Sequence, residues 1–366
     1  MSPSEKIDAI VASAIERRVF PGAVVLIARG DRLLHHKAYG ATTYEAPPAQ
    51  VVQRDTIYDI ASLTKMFTAT AALRLYEAGR LDLHAPVMAY LPEFCLPEIN
   101  VWHLLTHTSG LDIRLSALRH AGRAGLLEAV YATPLAHPPG TRVAYTNVNS
   151  LLLGEIVALR SGAPLDRALT GLVIEPLGLR DTQFRPPPEL RPRIAPTEID
   201  EEWRGALVHG SVHDESAHAL GGVAGHAGLF STAGDLHTFC LNWLPAMSEV
   251  GLPMLDRPDA NHSSDIQHPT SSMLQDKTIA LATSNQTPEL QVACGLGWMI
   301  DRPNFMGAAP AGSFGHTGFT GPAVVVVPQR RLVVSVLSNR VYPRRGQPTH
   351  HPITAAIVDA ALELAD

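Results

Sequence analysis

The sequence predicts an α+β fold: an antiparallel sheet built from both ends of the chain, flanked by the N- and C-terminal helices, with a mostly helical domain inserted between. Two observations carry this. β-rich runs sit near each terminus as pairs separated by a short polar turn, while residues 61–283 show helical periodicity broken by Pro- and Gly-rich loops. With 366 residues, 46% hydrophobic and 17% charged, the chain can bury a large core in two closely associated domains. Residues 1–60 and 284–366 are expected to form the sheet-containing domain, and 61–283 the helical one.

The elements follow in order. Residues 7–18 place Ile7, Ile10, Val11, Ala14 and Ile15 at helical spacing, and Pro21-Gly22 stops the helix. Residues 23–28 and 33–39 flank Arg29-Gly30-Asp31-Arg32 and should pair as a hairpin. Thr232-Ala233-Gly234-Asp235 reads as a capping box opening a helix that includes Leu236 and Phe239. Residues 247–268 are polar and irregular and read as loop. A second hairpin pairs 323–327 with 332–337 across Pro328-Gln329-Arg330-Arg331, and residues 353–364 return to an Ala/Leu helical pattern.

Bulk properties exclude several function classes. A net charge of −6 without a long Lys/Arg run offers no footprint for nucleic acid or anionic lipid. Charges interrupt the N-terminal apolar pattern, unlike a secretory signal. The apolar run bounded by Pro322 and Pro328 is far short of the roughly 20 residues of a membrane span. Cys95, Cys240 and Cys294 are widely spaced, read as buried small residues, and suggest no disulfide or metal framework. These features point to the cytoplasm, or to the periplasm if a leader was removed.

The chemistry centres on Ala61-Ser62-Leu63-Thr64-Lys65, followed by an Ala-rich helical run. A Ser at a helix start and a Lys three residues on share a face, about 5–6 Å apart at Cβ. The Ser62 N–H would lie among the free donors of the helix N-terminus, where peptide dipoles stabilise an oxyanion. A serine hydroxyl needs a base to become an effective nucleophile. Alone, the pair reads equally as a capping Ser beside a solvated Lys.

Tyr145-Thr146-Asn147 precedes another helical run, so Tyr145 can offer a phenol for proton transfer and Asn147 an amide for a substrate carbonyl. A buried Tyr with a capping Asn is the structural alternative. In Gly315-His316-Thr317-Gly318-Phe319, strand alternation puts His316 and Gly318 on one face. The bare Gly318 would let substrate backbone approach, His316 or Thr317 could bind a carboxylate or relay a proton, and the Phe319 N–H is a natural oxyanion donor. The alternative is a Gly-rich turn holding a hydrogen-bonded His.

Together the Ser-x-x-Lys, Tyr-x-Asn and His-Thr-Gly motifs resemble those of the serine β-lactamase and penicillin-binding protein superfamily. The Tyr-x-Asn form is similar to its class C β-lactamase branch, which includes family VIII carboxylesterases, D-Ala-D-Ala carboxypeptidases and D-aminopeptidases. Further similar stretches occur in the expected order: Trp102-His103-Leu104-Leu105-Thr106-His107-Thr108-Ser109-Gly110-Leu111, Glu175-Pro176-Leu177-Gly178-Leu179, Ala227-Gly228-Leu229-Phe230-Ser231-Thr232 and Gly295-Leu296-Gly297-Trp298. The resemblance implies a β-lactamase/transpeptidase-like α/β sandwich beside an all-α domain, with the active site in the cleft between them. It also implies Ser62 as nucleophile, Lys65 and Tyr145 as the acid–base pair, Asn147 orienting substrate, and the Ser62 and Phe319 N–H groups as the oxyanion hole. Class C β-lactamases usually carry Lys where His316 stands, and an imidazole weakens the field that recognises a β-lactam carboxylate.

His209, His213, Asp214, His218 and His226 fit no standard zinc spacing and read as part of a cleft-lining loop. Ser109 lacks a Gly-x-Ser-x-Gly elbow and reads as a turn residue. The expected enzyme is therefore a cofactor-free, metal-free serine hydrolase acting on a small ester, amide or D-peptide through a Ser62 acyl-enzyme. A carboxylesterase is the leading reading. A D-Ala-D-Ala carboxypeptidase, D-aminopeptidase or weak β-lactamase is the second, and a slowly acylating binding or sensor protein the third. Neither nucleic acid nor membrane is an expected partner, and the sequence leaves the oligomeric state open.

Overall fold

The computed structural model describes residues 1–44, 50–244 and 273–366, so the stretch 247–268 read above as loop lies outside the described residues. The first helix, α1 (Pro3–Glu16), starts earlier than its apolar spacing suggests. Ser2 Oγ accepts from the Glu5 N–H at 3.3 Å and the Glu5 carboxylate accepts from the Ser2 N–H at 2.7 Å, a capping box with Pro3 in the first turn.

Strands β1 (Gly22–Arg29) and β2 (Arg32–Gly40) form the expected hairpin but extend further, tightening the turn to Gly30-Asp31. Gly30 sits at φ 58, the left-handed region such a turn requires. Strands β3 (Met299–Ile300), β4 (Phe314–Thr317), β5 (Ala323–Val327) and β6 (Leu332–Ser338) complete a six-stranded antiparallel sheet in the order β2-β1-β6-β5-β4-β3. The two ends of the chain meet where β1 pairs with β6, Val25 opposite Val336.

Both faces of this sheet are covered, which explains why its central strands are almost wholly apolar. Ala23, Val25 and Ile27 pack with Ile7, Val11, Ile357 and Val358 of the terminal helices, α1 and the helix His351–Leu364. Val24, Leu26 and Val333 face the larger core, which contains the helices α2 (Thr64–Glu77), α3 (Asn147–Ser161) and α4 (Ala233–Leu241). The C-terminal helix is accordingly α5. Each fully buried Val or Ile contributes about 1.5–3 kcal/mol.

The middle of the chain is mainly helical but also carries small sheets, one of which pairs Leu229–Ser231 with Tyr58–Asp59 and Gln183–Phe184. Thr232 caps α4 by accepting from the Asp235 N–H, whereas the Asp235 carboxylate binds Asp181 N and Thr182 Oγ1. Its second role is thus to anchor the neighbouring segment. Cys240 and Cys294 are buried as expected, but Cys95 is exposed, since the turn around Pro92 faces outward. Among the described residues, no helix is long and apolar enough to cross a membrane.

Candidate active site

Ser62 lies in a single 3-10 turn, Ala61–Leu63, that feeds directly into α2. Ala61 occupies φ 45, a costly conformation for a residue with a Cβ, so the turn is held by its surroundings. Asp59 supplies much of that hold. Its Oδ1 accepts from the Ala61 N–H at 2.9 Å and its Oδ2 from the His213 N–H at 2.6 Å. Thr320 Oγ1 donates to the Asp59 carbonyl at 2.7 Å, joining the segment after β4 to the Ser62 turn. Burial pushes the Asp59 carboxyl up in pKa despite its two amide bonds.

One helical turn beyond Ser62, Lys65 is only 2% exposed. Its Nζ reaches Ser62 Oγ at 2.8 Å, Asn147 Oδ1 at 2.9 Å and the His226 carbonyl at 3.2 Å. Three acceptors for one buried amine satisfy all its hydrogen-bonding directions, which is what permits its burial. Asn147, the first residue of α3, has its amide orientation fixed by Lys65. Its Nδ2 leans toward Asp214 Oδ2 at a long 3.4 Å.

Asp214 in turn accepts from Ser216 Oγ and the Ala217 N–H, with His226 Nε2 3.2 Å away. Burial would raise the Asp214 pKa, but the His226 ring and these donors outweigh it and hold the carboxylate well below its ordinary range.

Tyr145 arrives from the segment before α3 and is 47% exposed. Its ring centroid lies 4.9 Å from Lys65 Nζ and 4.8 and 5.8 Å from the centroids of the His107 and His316 rings. His316 is only 2% exposed, and its Nδ1 lies 2.9 Å from the Thr317 carbonyl, which requires that nitrogen to carry the proton. Burial, helped by the nearby Lys65 charge, pushes the His316 pKa down to about 3. His107 is likewise held near 3 by burial and Lys65, and its Nδ1 accepts from the Asn149 amide at 3.2 Å. Both rings are therefore neutral around pH 7.

The sequence-selected residues Ser62, Lys65, Tyr145, Asn147 and His316 are thus gathered at one place. Ser62, Tyr145, Asn147, Phe319, His213 and Arg345 line a cavity of about 480 Å³. Thr317, Gly318 and Phe319 line a neighbouring one together with Ser62 and Tyr145. Gly318 has a packing role besides: a Cβ there would lie 2.7 Å from the Ile60 carbonyl, so the glycine lets β4's extension pack on the Ser62 turn.

The histidine-rich stretch is dispersed. His213 pairs with Glu198 at 2.8 Å and lines the main cavity beside Asp214, while His209 bonds the Ile194 carbonyl and His218 packs against Trp203. Part of this expected loop is a short helix, Glu215–Ala219, capped by Asp214. Among the described residues, no three His, Cys, Asp or Glu side chains converge to hold a metal ion. Ser109 is a buried turn residue donating to Asn149 Oδ1 at 2.5 Å.

Sequence reasoning missed Asp59 and the His226 carbonyl. The first carries no motif, and the second is a backbone atom that any residue could supply. His107 lay within a quoted stretch, but nothing local indicated its contact with Tyr145.

A family model described as Beta-lactamase matches residues 7–358. The chain belongs to the Beta-lactamase family. Members of that family are serine hydrolases, and this protein is an enzyme of that kind. A curated relative from Escherichia coli K12, named a putative D-alanyl-D-alanine carboxypeptidase, is 28% identical, with 91% of this chain and 81% of the relative covered. Among solved structures, EstCE1, titled a hydrolase with promiscuous acyltransferase activity, superimposes with a TM-score of 0.75 at 21% identity over 98% of both chains. A class C β-lactamase from Rhodobacter sphaeroides gives 0.71 at 22% identity, covering 99% of this chain and 98% of the other. These likenesses establish the β-lactamase/transpeptidase-like fold.

Proposed function

We propose that the protein is a carboxylesterase-like hydrolase whose Ser62 attacks an ester or amide carbonyl. The reading rests on Lys65 Nζ standing 2.8 Å from Ser62 Oγ at the wall of an open cavity. Ser62 Oγ forms a bond to the carbonyl carbon, and its proton leaves through the Lys65–Tyr145 pair. The same pair returns the proton to the departing alcohol or amine as the old bond breaks. Water then adds to the acyl-enzyme, giving a proton to that pair, which hands it to Ser62 Oγ as the Oγ–acyl bond breaks and the carboxylic acid is released. The Ser62 and Phe319 N–H groups hold the developing oxyanion, and Asn147 orients the substrate, exchanging its long contact to Asp214 for a substrate carbonyl. The site lies between the sheet-containing part (1–60 and 284–366) and the helical part (61–283), which we treat as the two domains.

The neutral His316 favours an ester over a β-lactam, because it places no cation where a β-lactam carboxylate would need one. The EstCE1 title is in keeping with that preference. A second reading, carboxypeptidase action on a D-Ala-terminated peptide, is favoured by Arg340. Arg340 is among the residues lining the cavity shared by Ser62 and Thr317, and curated relatives carry that name. The three unpaired cysteines suit a cytoplasmic location, which fractionation of cells tests.

Mass spectrometry and product analysis after exposure to a fluorophosphonate, a p-nitrophenyl ester, a penicillin and a D-Ala-D-Ala-terminated peptide test the chemistry. We expect a single adduct on Ser62, ester turnover, and loss of both in Ser62→Ala. A stable penicilloyl adduct without turnover would indicate a binding protein, faster release of D-Ala than of p-nitrophenol would select the peptidase, and no adduct with any reagent would remove the Ser62 reading.

A further inference from the structure

Tyr145 borders three separate cavities: the main one, the one carrying Arg340, and a third of about 250 Å³. Val143, Val292, Cys294, Trp298 and Met299 are five of the ten residues lining the third cavity. Met299 and Tyr145 also line the cavity that holds Ser62 and Thr317, so the two lie side by side.

Its two histidines are neutral, and the guanidinium of Arg302 is tied to backbone carbonyls. His107 and His316 are both pushed down to about 3 by burial and by Lys65. Arg302 donates to the Ile300 and Ala293 carbonyls at 2.9 and 2.8 Å and approaches Cys294 Sγ at 3.7 Å. Burial raises the Cys294 thiol. The main cavity differs sharply, since Asp112, Arg114, Asp214, Glu215 and Arg345 line it. The rim of the third cavity also exposes apolar surface, at Val292 (36%) and Tyr145 (47%). Covering such surface with an uncharged guest is favourable at about 25 cal/mol per Å².

We infer that this third cavity binds the leaving group, and that it selects an uncharged apolar alcohol such as a single aromatic ring or a short alkyl chain. The inference rests on the hydrolase reading, in which Tyr145 belongs to the pair that protonates the departing oxygen; of the three cavities it borders, the third is lined by neither Asn147 nor the oxyanion donors Ser62 and Phe319. The oxyanion donors and Asn147 place the acyl portion in the main, charged cavity. Size agrees, because an apolar cavity of about 150 Å³ already accommodates benzene.

The test uses esters with one fixed acyl group and methyl, butyl or benzyl alcohols, then a second series varying only the acyl chain. Two cavity-filling variants serve, Cys294→Phe and Val292→Trp, the latter at the exposed rim where folding is little disturbed. We expect a benzyl-to-methyl ratio of kcat/KM above tenfold in the unmodified protein, collapsing toward unity in either variant, with no comparable shift in the acyl-chain ratio. A direct binding readout accompanies this: benzyl alcohol should slow alkylation of Cys294 by N-ethylmaleimide in the Ser62→Ala protein, followed by peptide mass spectrometry. A variant that moves the acyl ratio instead, or Cys294 labelling indifferent to benzyl alcohol, overturns the inference. Protection of Cys294 without any ester turnover would instead count against the Ser62 reading alone.

Discussion

His316 is the residue at which burial, rather than residue type, sets the charge. An exposed histidine would titrate near neutrality, yet here burial and Lys65 depress its pKa to about 3. Replacing it with lysine, as His316→Lys, introduces a second ammonium beside Lys65. One added charge near a substrate carboxylate is worth on the order of 1.4 kcal/mol, a tenfold factor. We expect the kcat/KM ratio of an anionic to a neutral ester to rise about tenfold while absolute turnover falls; an unmoved ratio would take His316 out of substrate recognition. Lys65 offers a second comparison. Lys65→Met leaves Asn147 Oδ1 and the His226 carbonyl without their donor, a loss of about 1–3 kcal/mol per buried group. Acylation should fall by several orders of magnitude, far beyond what that destabilisation explains. Single-turnover acylation measured beside a thermal melt separates the two effects, and a variant that acylates at the original rate contradicts the role given to the amine.

Between elements, the decisive contact is that of β4's extension with the turn carrying Ser62. Gly318 leaves no space for a methyl group, with the Ile60 carbonyl at 2.7 Å and Ala61 Cβ at 3.4 Å from where one would sit. Gly318→Ala must push these segments apart, costing about 1–3 kcal/mol by overpacking and misplacing Ser62 against the Phe319 N–H. We expect kcat to drop more than tenfold with a Tm lower by only a few degrees; unchanged kcat would show that the contact has slack. This contact also marks where sequence reading stops. The hairpins, α2, α3 and α5 were legible because apolar period and turn residues encode them locally. Gly318 could be recognised as unusual, but its neighbour across the fold could not. Asp59 illustrates the same limit, because its carboxylate joins the Ala61 and His213 amides, 154 positions apart in the longer case, and no local pattern records that.

At the scale of the whole molecule, the sheet joins the two ends of the chain and the cavities open beside it, so the site forms only when distant segments have assembled. The order of the motifs made this layout legible, whereas the burial of individual histidines was not. That burial has a global consequence. His107, His316 and His350 are all depressed from 6.5 to about 3, so between those values the folded protein leaves them neutral while the unfolded chain protonates them. Stability therefore rises with pH through this window and is lost as pH falls below about 6.5, by about 1.4 kcal/mol per pH unit for each histidine. Glu198, lowered to about 2, acts in the same direction below its ordinary value of 4.5. Asp59, Glu155 and Asp235, all raised chiefly by burial, oppose the trend because they are more easily protonated in the folded state. Since those carboxyls remain in every variant, the informative comparison is a difference. His350 has no part in the proposed chemistry, and His350→Gln removes one of these three depressed imidazoles. Its Tm should decline less steeply than that of the unmodified protein between pH 6.5 and 5, and parallel declines would show that His350 is not held neutral by the fold.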